Sequence, residues 1–337
     1  MNNLDSLTSL RERKRYVISG GAGFIGSHLA KTLLENGQEV IVIDNLSTGQ
    51  KRNLAPFDQH PKFTFLCEDV NNEYLLQETV HTKDIVVHLA AAVGVDNVAS
   101  RPIYTANNNH HTTEKILNIC LEKQCQLFFA STSEVYGNHT NIASSEHDSL
   151  VLEVHHGGRS AYTLSKLYSE LSCLSYFQEY KLPVIIGRFF NTIGTGQISK
   201  YGMVVPKFVE QSLRGAPITV YGNGKQIRAF CAVEDTVAAI LSLLSCPKAS
   251  GQVFNIGNPE EISILDLAKF IKASTHSVSS IQLSPMPPSR SQGKDIFFRK
   301  PSIEKIYHYT GWRPTIKWQS AIHHIIHEYQ QKQLLAA

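Results

Sequence analysis

The chain has 337 residues, 42% of them apolar and 18% charged, with a formal net charge of +3 and an isoelectric point near 8.4. Such a chain can bury a large core, so its composition excludes a disordered protein and suggests one large α/β domain with a smaller lobe. The mild positive balance favours an anionic small molecule and supplies no basic stripe for nucleic acid, and apolar runs such as Val237 to Leu244 are too short to cross a membrane.

Residues 1–14 read as a lead-in whose basic run, Arg11 to Arg15, is expected to be solvated. No signal-peptide block opens the chain, and the cysteines at 67, 120, 125, 173, 231 and 246 show neither CxxC pairing nor metal-ligand spacing. They read as reduced core residues of a cytoplasmic enzyme. The β-branched run from Tyr16 then enters Gly20, Gly23 and Gly26, and Phe24 to Leu34 follows at helical spacing. Strand, tight turn and helix in that order place phosphates at the helix N-terminus, with Phe24 and Ile25 in its first turn. Gly20 permits the turn, Gly23 lets a pyrophosphate approach bare backbone, and Gly26 lets the helix pack closely on the strand.

Gly37 ends that helix, Glu39 to Ile43 is a buried strand, and Asp44 stands at its carboxyl end. A carboxylate there accepts hydrogen bonds from ribose hydroxyls and repels a 2′-phosphate, so the cofactor expected is NAD rather than NADP. Asn45, Ser47, Thr48 and Gly49 form the polar turn after it. Phe63 to Leu66 is the next strand, and Asp69 with Val70 follows, Asp69 being also a possible cap for the next helix. Asp84 to Ala91 is a buried strand opening into the small residues after Leu89, Ala90 and Ala91, which suit close passage of backbone beside a cofactor.

A helix is expected over Asn109 to Cys120 and a strand over Leu127 to Ala130, ending in the hydroxyl-rich loop Ser131-Thr132-Ser133-Glu134 at the ligand-binding edge of the sheet. Ala161 to Tyr180 reads as a long helix carrying Tyr162 and Lys166 one turn apart, so an ammonium can lower the phenol toward the range of a general base. On its outer side Leu167, Leu171 and Leu174 form one stripe, and Tyr168, Cys173, Tyr176 and Phe177 widen it. Strands follow at Val184 to Arg188, Ile218 to Tyr221 and Val253 to Gly257, helices at Val204 to Arg214 and after Val233, and a Pro/Ser-rich loop over Pro285 to Gln292. His323, His324 and His327 lack a further ligand and read as a polar helix face.

These motifs resemble the extended short-chain dehydrogenase/reductase family of nucleotide-sugar epimerases, dehydratases and decarboxylases. The likeness runs from about Arg15 to about Ile326 through GGAGFIGSH, DNLSTG, STSEVYG, the Tyr162/Lys166 pair, FFN, VYGNGKQIRAF, FNIGN and RKPSI. It implies a Rossmann-like doubly wound parallel sheet, with an NAD-binding domain of 15–188 and 229–256 and a nucleotide-sugar lobe of 189–228 and 257–330. It implies that Asp69 and Val70 hold the adenine, that Asn109 belongs to the cofactor site, and that Tyr162, assisted by Thr132, takes the proton from the sugar 4-hydroxyl.

Asn191 and Arg228 then contact a diphosphate, Tyr221 belongs to the nucleotide-base pocket, and Val205 is a further substrate-binding residue. Glu134, Arg159 and Arg299 resemble residues of the UDP-glucuronate decarboxylases, where an arginine meets the C6 carboxylate. Against that branch, Gly194-Thr195-Gly196 stands where decarboxylases carry Gly-Pro-Arg. The rival readings are a UDP-sugar 4-epimerase, a 4,6-dehydratase and an NAD-binding scaffold. Members of the family usually dimerise through a four-helix contact, so a homodimer is expected.

Overall fold

Seven parallel strands carry the molecule, and their residues explain why both faces are covered. The computed structural model describes residues 13–92, 98, 100–138, 142–152, 158–199, 202–286 and 296–336, with backbone only at 158, 159, 335 and 336. The first part of the chain forms β1 (Arg15–Ser19), α1 (Phe24–Glu35), β2 (Glu39–Ile43), β3 (Phe63–Leu66), α2 (Glu73–Thr79), β4 (Ile85–His88), α3 (Pro102–Glu122), β5 (Gln126–Thr132), α4 (Gly158–Tyr180) and β6 (Val184–Phe189). The rest supplies β7 (Thr192–Ile193), α5 (Val204–Leu213), β8 (Ile218–Tyr221), β9 (Ile227–Ala229), β10 (Cys231–Ala232), α6 (Val233–Leu244), β11 (Gln252–Ile256), β12 (Glu261–Ser263), α7 (Ile264–Ser274), β13 (Ile281–Ser284), β14 (Phe298–Arg299), α8 (Glu304–Thr310) and α9 (Trp318–Ala336).

The large sheet has the order β3-β2-β1-β4-β5-β6-β11. Its strands are apolar at successive positions because each faces helices on both sides. Tyr16 and Ile18 of β1 join a core with Leu29 and Leu33 of α1 and Ile240 of α6, whereas Val17 joins the opposite core with Ile116 and Leu117 of α3 and Cys173 of α4. A third core gathers Phe208, Val220, Ile271 and Ile322, and here α5, α7 and α9 pack with the small parallel pair β8-β13. The strand order reverses between β1 and β4, which opens a crevice at the carboxyl ends of the large sheet.

Several expectations need correction. The helix α3 begins at Pro102, well before Asn109, because a proline at the first helical position costs no hydrogen bond while the polar run to His111 hides the periodicity. Arg15 is not solvated: it donates to Glu39 at 3.1 Å, to the buried carboxylate of Asp84 and to the Thr79 carbonyl at 2.9 Å. On α4 the faces divide differently from the expected stripe. Cys173 lies in the molecule's own core, whereas Leu171 is 62% exposed together with Leu164 and Tyr168.

Four of the six free cysteines are buried, and Cys67 is exposed beyond the end of the edge strand β3. Among the described residues no cluster of His, Cys, Asp or Glu is arranged to hold a metal, and no helix is long and apolar enough to cross a membrane.

Candidate active site

A cavity of about 900 Å³ lies over the carboxyl ends of the sheet and runs from α1 to the smaller lobe. Its first half is built from bare backbone. Gly20 has φ +76°, and a Cβ there would stand 2.7 Å from the Ala90 nitrogen, so the β1 turn touches the chain leaving β4. A Cβ on Gly26 would meet the Gly20 oxygen at 2.5 Å and the Gly21 Cα at 2.6 Å. That contact brings the first turn of α1, with Gly23 as its cap and Phe24 and Ile25 inside it, into the cavity wall. The turn has no acidic residue, which leaves its N–H groups and dipole open to phosphate.

Asp44 closes β2 and is nearly buried. Its carboxylate accepts from the Ala22 N–H at 3.0 Å and the Leu46 N–H at 2.8 Å, and burial nevertheless raises its pKa above the usual carboxylate value. Two carboxylate oxygens offer more acceptor sites than these two bonds use, so it can still receive a ribose hydroxyl. Asn45 donates to Asp69 at 3.0 Å, and Asp69 also accepts from the Asn71 N–H. The helix cap is Asn72, not Asp69, since the Asn72 side chain accepts from Leu75 at the start of α2. Ser47, Thr48, Val70, Leu89, Ala90 and Ala91 complete this wall.

Thr132, Glu134, Tyr162 and Lys166 meet in the middle of the cavity. The strand β5 delivers Thr132, the short 3₁₀ turn Ser133–Tyr136 delivers Glu134, and the first three turns of α4 deliver the tyrosine and lysine. Burial pushes the Tyr162 phenol well above its ordinary range and the Glu134 charge adds to this, while a hydrogen bond with Thr132 and the charge of Arg299 oppose it. The expected depression by Lys166 is not in place. Its ammonium donates instead to the Ala130 carbonyl at 2.8 Å, lies 4.8 Å from the Phe129 ring centre, and is itself lowered to about 8 by burial. Behind it His88 is held neutral, its pKa lowered to about 3 by burial and by the lysine, with Nδ1 2.6 Å from the Ser19 hydroxyl.

The far half is cationic. Arg228 on β9 and Arg299 on β14 are register partners in adjacent parallel strands and both line the cavity, as do Asn191, Val205 and Tyr221. Arg299 stands 3.6 Å from the Glu134 carboxylate. Lys207 escaped the sequence reading: its ammonium donates to the Tyr221 hydroxyl at 3.0 Å and lies 4.6 Å from that ring centre. The available signal was a lysine one turn from Val204, on a flank of α5 that also brings Phe208 to the cavity.

Some expected residues stand back from the cavity. Ser133 is buried behind the turn, and Gly49 faces the Asp44 carboxylate, where a Cβ would stand 2.7 Å from its oxygens. Asn109 is buried between chain segments, accepting from Ala92 N–H at 2.6 Å and donating to Ser165 at 3.2 Å, so it holds the Ala90–Ala92 strip against α4. Arg159 lies on the first turn of α4, its side chain outside the described residues. The bare glycine turn, the open helix terminus and the Asp44 carboxylate fit NAD.

Comparison with known proteins gives a consistent picture. The model of the NAD dependent epimerase/dehydratase family matches residues 16–257. The chain is 34% identical over 325 residues to UDP-glucuronic acid decarboxylase 1 of Danio rerio, covering 96% of this chain and 74% of that protein. It is equally identical over 326 residues to the UDP-N-acetyl-alpha-D-glucosaminuronate decarboxylase of Bacillus cytotoxicus, covering 95% and 98%. Among solved structures, the UDP-glucuronic acid 4-epimerase of Bacillus cereus, in complex with UDP-glucuronic acid and NAD, is similar with a TM-score of 0.83 and 27% identity over 94% of this chain and 99% of that one.

Proposed function

The chain belongs to the NAD dependent epimerase/dehydratase family, and from that premise we propose that this NAD-using enzyme is a UDP-glucuronate decarboxylase. One observation carries the choice of reaction: Arg299 and Glu134 stand 3.6 Å apart, close enough to Tyr162 for both charges to act on its phenol. A guanidinium there is suited to the C6 carboxylate of a uronic acid. Arg228, Lys207 and Asn191 suit the anionic diphosphate, with Tyr221 and Val205 around the base.

NAD, when bound, accepts the C4 hydride and later returns it. Tyr162 takes the 4-hydroxyl proton, with the Thr132 hydroxyl hydrogen-bonded to the phenol, and Lys166 holds the nicotinamide ribose. The resulting 4-ketone lies β to the carboxylate. The electron pair of the breaking C5–C6 bond then moves into that ketone, carbon dioxide leaves, and Tyr162 returns its proton to the enolate oxygen. Glu134, on the same cavity wall, is the group assigned to the proton that reaches C5.

A second reading, 4-epimerisation of the same uronic acid, is favoured by the loop after Asn191. Gly196 has φ +83° and donates its N–H to Glu328, so a residue without a side chain stands where decarboxylases carry the arginine of Gly-Pro-Arg. Incubation with UDP-glucuronate, UDP-glucose and UDP-N-acetylglucosamine in separate vessels separates the readings by product mass and NMR. Loss of carbon dioxide from UDP-glucuronate supports decarboxylation; an isomer of unchanged mass, or loss of water, overturns it.

We further propose the division into an NAD-binding domain, 15–188 with 229–256, and a nucleotide-sugar lobe, 189–228 with 257–330. The outward face of α4 exposes Leu164, Tyr168 and Leu171, an apolar strip that, beside α3, is suited to an isologous four-helix contact in a homodimer. Six free cysteines are in keeping with a reducing compartment, the cytoplasm.

A further inference from the structure

Asn255 is wholly buried on the edge strand β11, where no part of its side chain reaches the cavity, yet every polar atom of that side chain is engaged. Its Nδ2 donates to the Ser144 carbonyl at 2.9 Å and to the Ser302 carbonyl at 3.1 Å, and its Oδ1 accepts from the Tyr136 hydroxyl at 2.7 Å. Two carbonyl acceptors on one side and a hydroxyl on the other fix which end is the nitrogen. Tyr136 belongs to the same four-residue turn as Glu134. Ser302 lies three residues after Arg299, and Ser144 clasps the stretch between, accepting from Ser302 N–H and donating to the Lys300 carbonyl, each at 2.8 Å.

One amide therefore joins the turn that carries the acid to the segment that carries the arginine. The sheet side of the joint is stiff. Arg188 is the register partner of Asn255 in β6, donates to the Tyr136 hydroxyl at 3.0 Å, and forms a buried forked pair with Glu170. The Arg299 segment is also held on the far side, by the two-residue pairing of β14 with β9 and by the ion pair of Lys300 with Glu261 at 3.1 Å. We propose that Asn255 is a positioning residue that sets the spacing of Glu134 and Arg299 across the active site. This rests on the reading that those two groups face the reacting sugar.

The substitution Asn255→Asp keeps the shape and the acceptor for Tyr136 but turns a carboxylate oxygen toward two carbonyl oxygens, releasing the Arg299 segment. The test is a double-mutant cycle of Asn255→Asp with Arg299→Ala, read as kcat/KM on UDP-glucuronate. If the unaltered protein leaves UDP-glucuronate intact, the decarboxylase reading fails, and the cycle is read on whichever of UDP-glucose or UDP-N-acetylglucosamine it converts. Asn255→Asp alone is expected to lower kcat/KM by about 10- to 100-fold, as a displaced positioning group does, with bound NAD and UDP affinity unchanged.

In the Arg299→Ala background the same change is expected to cost less than about twofold, because the arginine it positions is gone. Full multiplication of the two losses, or a fully active Asn255→Asp protein, overturns the proposal. Should Asn255→Asp fail to fold, Tyr136→Phe cuts the joint from the other side; a loss of a few-fold that disappears with Arg299→Ala is expected, and equal losses in both backgrounds refute the role.

Discussion

Replacing Gly26 by alanine adds one methyl group at the point where α1 touches the turn it follows. The new carbon would lie 2.5 Å from the Gly20 oxygen and 2.6 Å from the Gly21 Cα, and both are backbone atoms of a loop with no slack. The helix must move away from the turn. Overpacking of this kind costs roughly 1–3 kcal/mol, which lowers Tm by some 2–12 °C at about 2–4 °C per kcal/mol. Because the displaced element is the helix terminus that receives the phosphates, NAD affinity should fall by about 10- to 100-fold, or roughly 1.4–2.8 kcal/mol.

Gly215 supplies the control. It has φ +66° with nothing within 4 Å of a built Cβ, so Gly215→Ala carries only the left-handed backbone cost of about 1–2 kcal/mol and leaves NAD binding alone. Melting curves and NAD titration by isothermal calorimetry read both proteins. Unchanged NAD affinity in Gly26→Ala, or an equal loss in Gly215→Ala, would refute the reasoning.

Tyr162→Phe should retain fold and NAD binding while C4 oxidation falls by about 10²-fold or more, since only the proton acceptor is lost; persisting turnover in a stopped-flow assay would assign the base elsewhere. Native His88, with its pKa lowered from 6.5 to about 3, is neutral where the unfolded chain takes up a proton, so its stabilising contribution is full above pH 6.5 and is lost as pH falls through about 3. Urea unfolding should show a loss approaching roughly 5 kcal/mol from this group over that window, and His88→Gln should flatten the slope; an unchanged slope in the variant rejects the assignment. Leu171→Glu should dissociate the proposed homodimer in sedimentation at micromolar concentration, whereas an unaltered protein that sediments as a monomer removes the proposed interface.

The glycine turn was legible because its chemistry depends on missing side chains in a fixed local order, and Tyr162 with Lys166 because helical spacing alone puts them on one face. What escaped was non-local. The ammonium of Lys166 bonds to a carbonyl of β5 rather than acting on the phenol, Asn109 serves as a clamp between segments, and Lys207 meets Tyr221 only when α5 crosses β8. The helix α7 was readable in principle, since Ser263 accepts from Asp266 in a cap spaced three residues apart. Its partners in the third core were not. The pairing of β13 with β8 and the joint at Asn255 depend on the chain returning from far along the sequence, which no local pattern encodes.

The most direct test of the central claim follows the carboxyl carbon itself. UDP-glucuronate labelled isotopically at C6 is incubated with the NAD-loaded protein, and label is tracked between headspace gas and sugar, with Arg299→Ala in parallel. Labelled carbon dioxide from the unaltered protein, strongly reduced in the variant, is the predicted result. Label that stays in the sugar, whether in unchanged substrate or in an isomer, would contradict it.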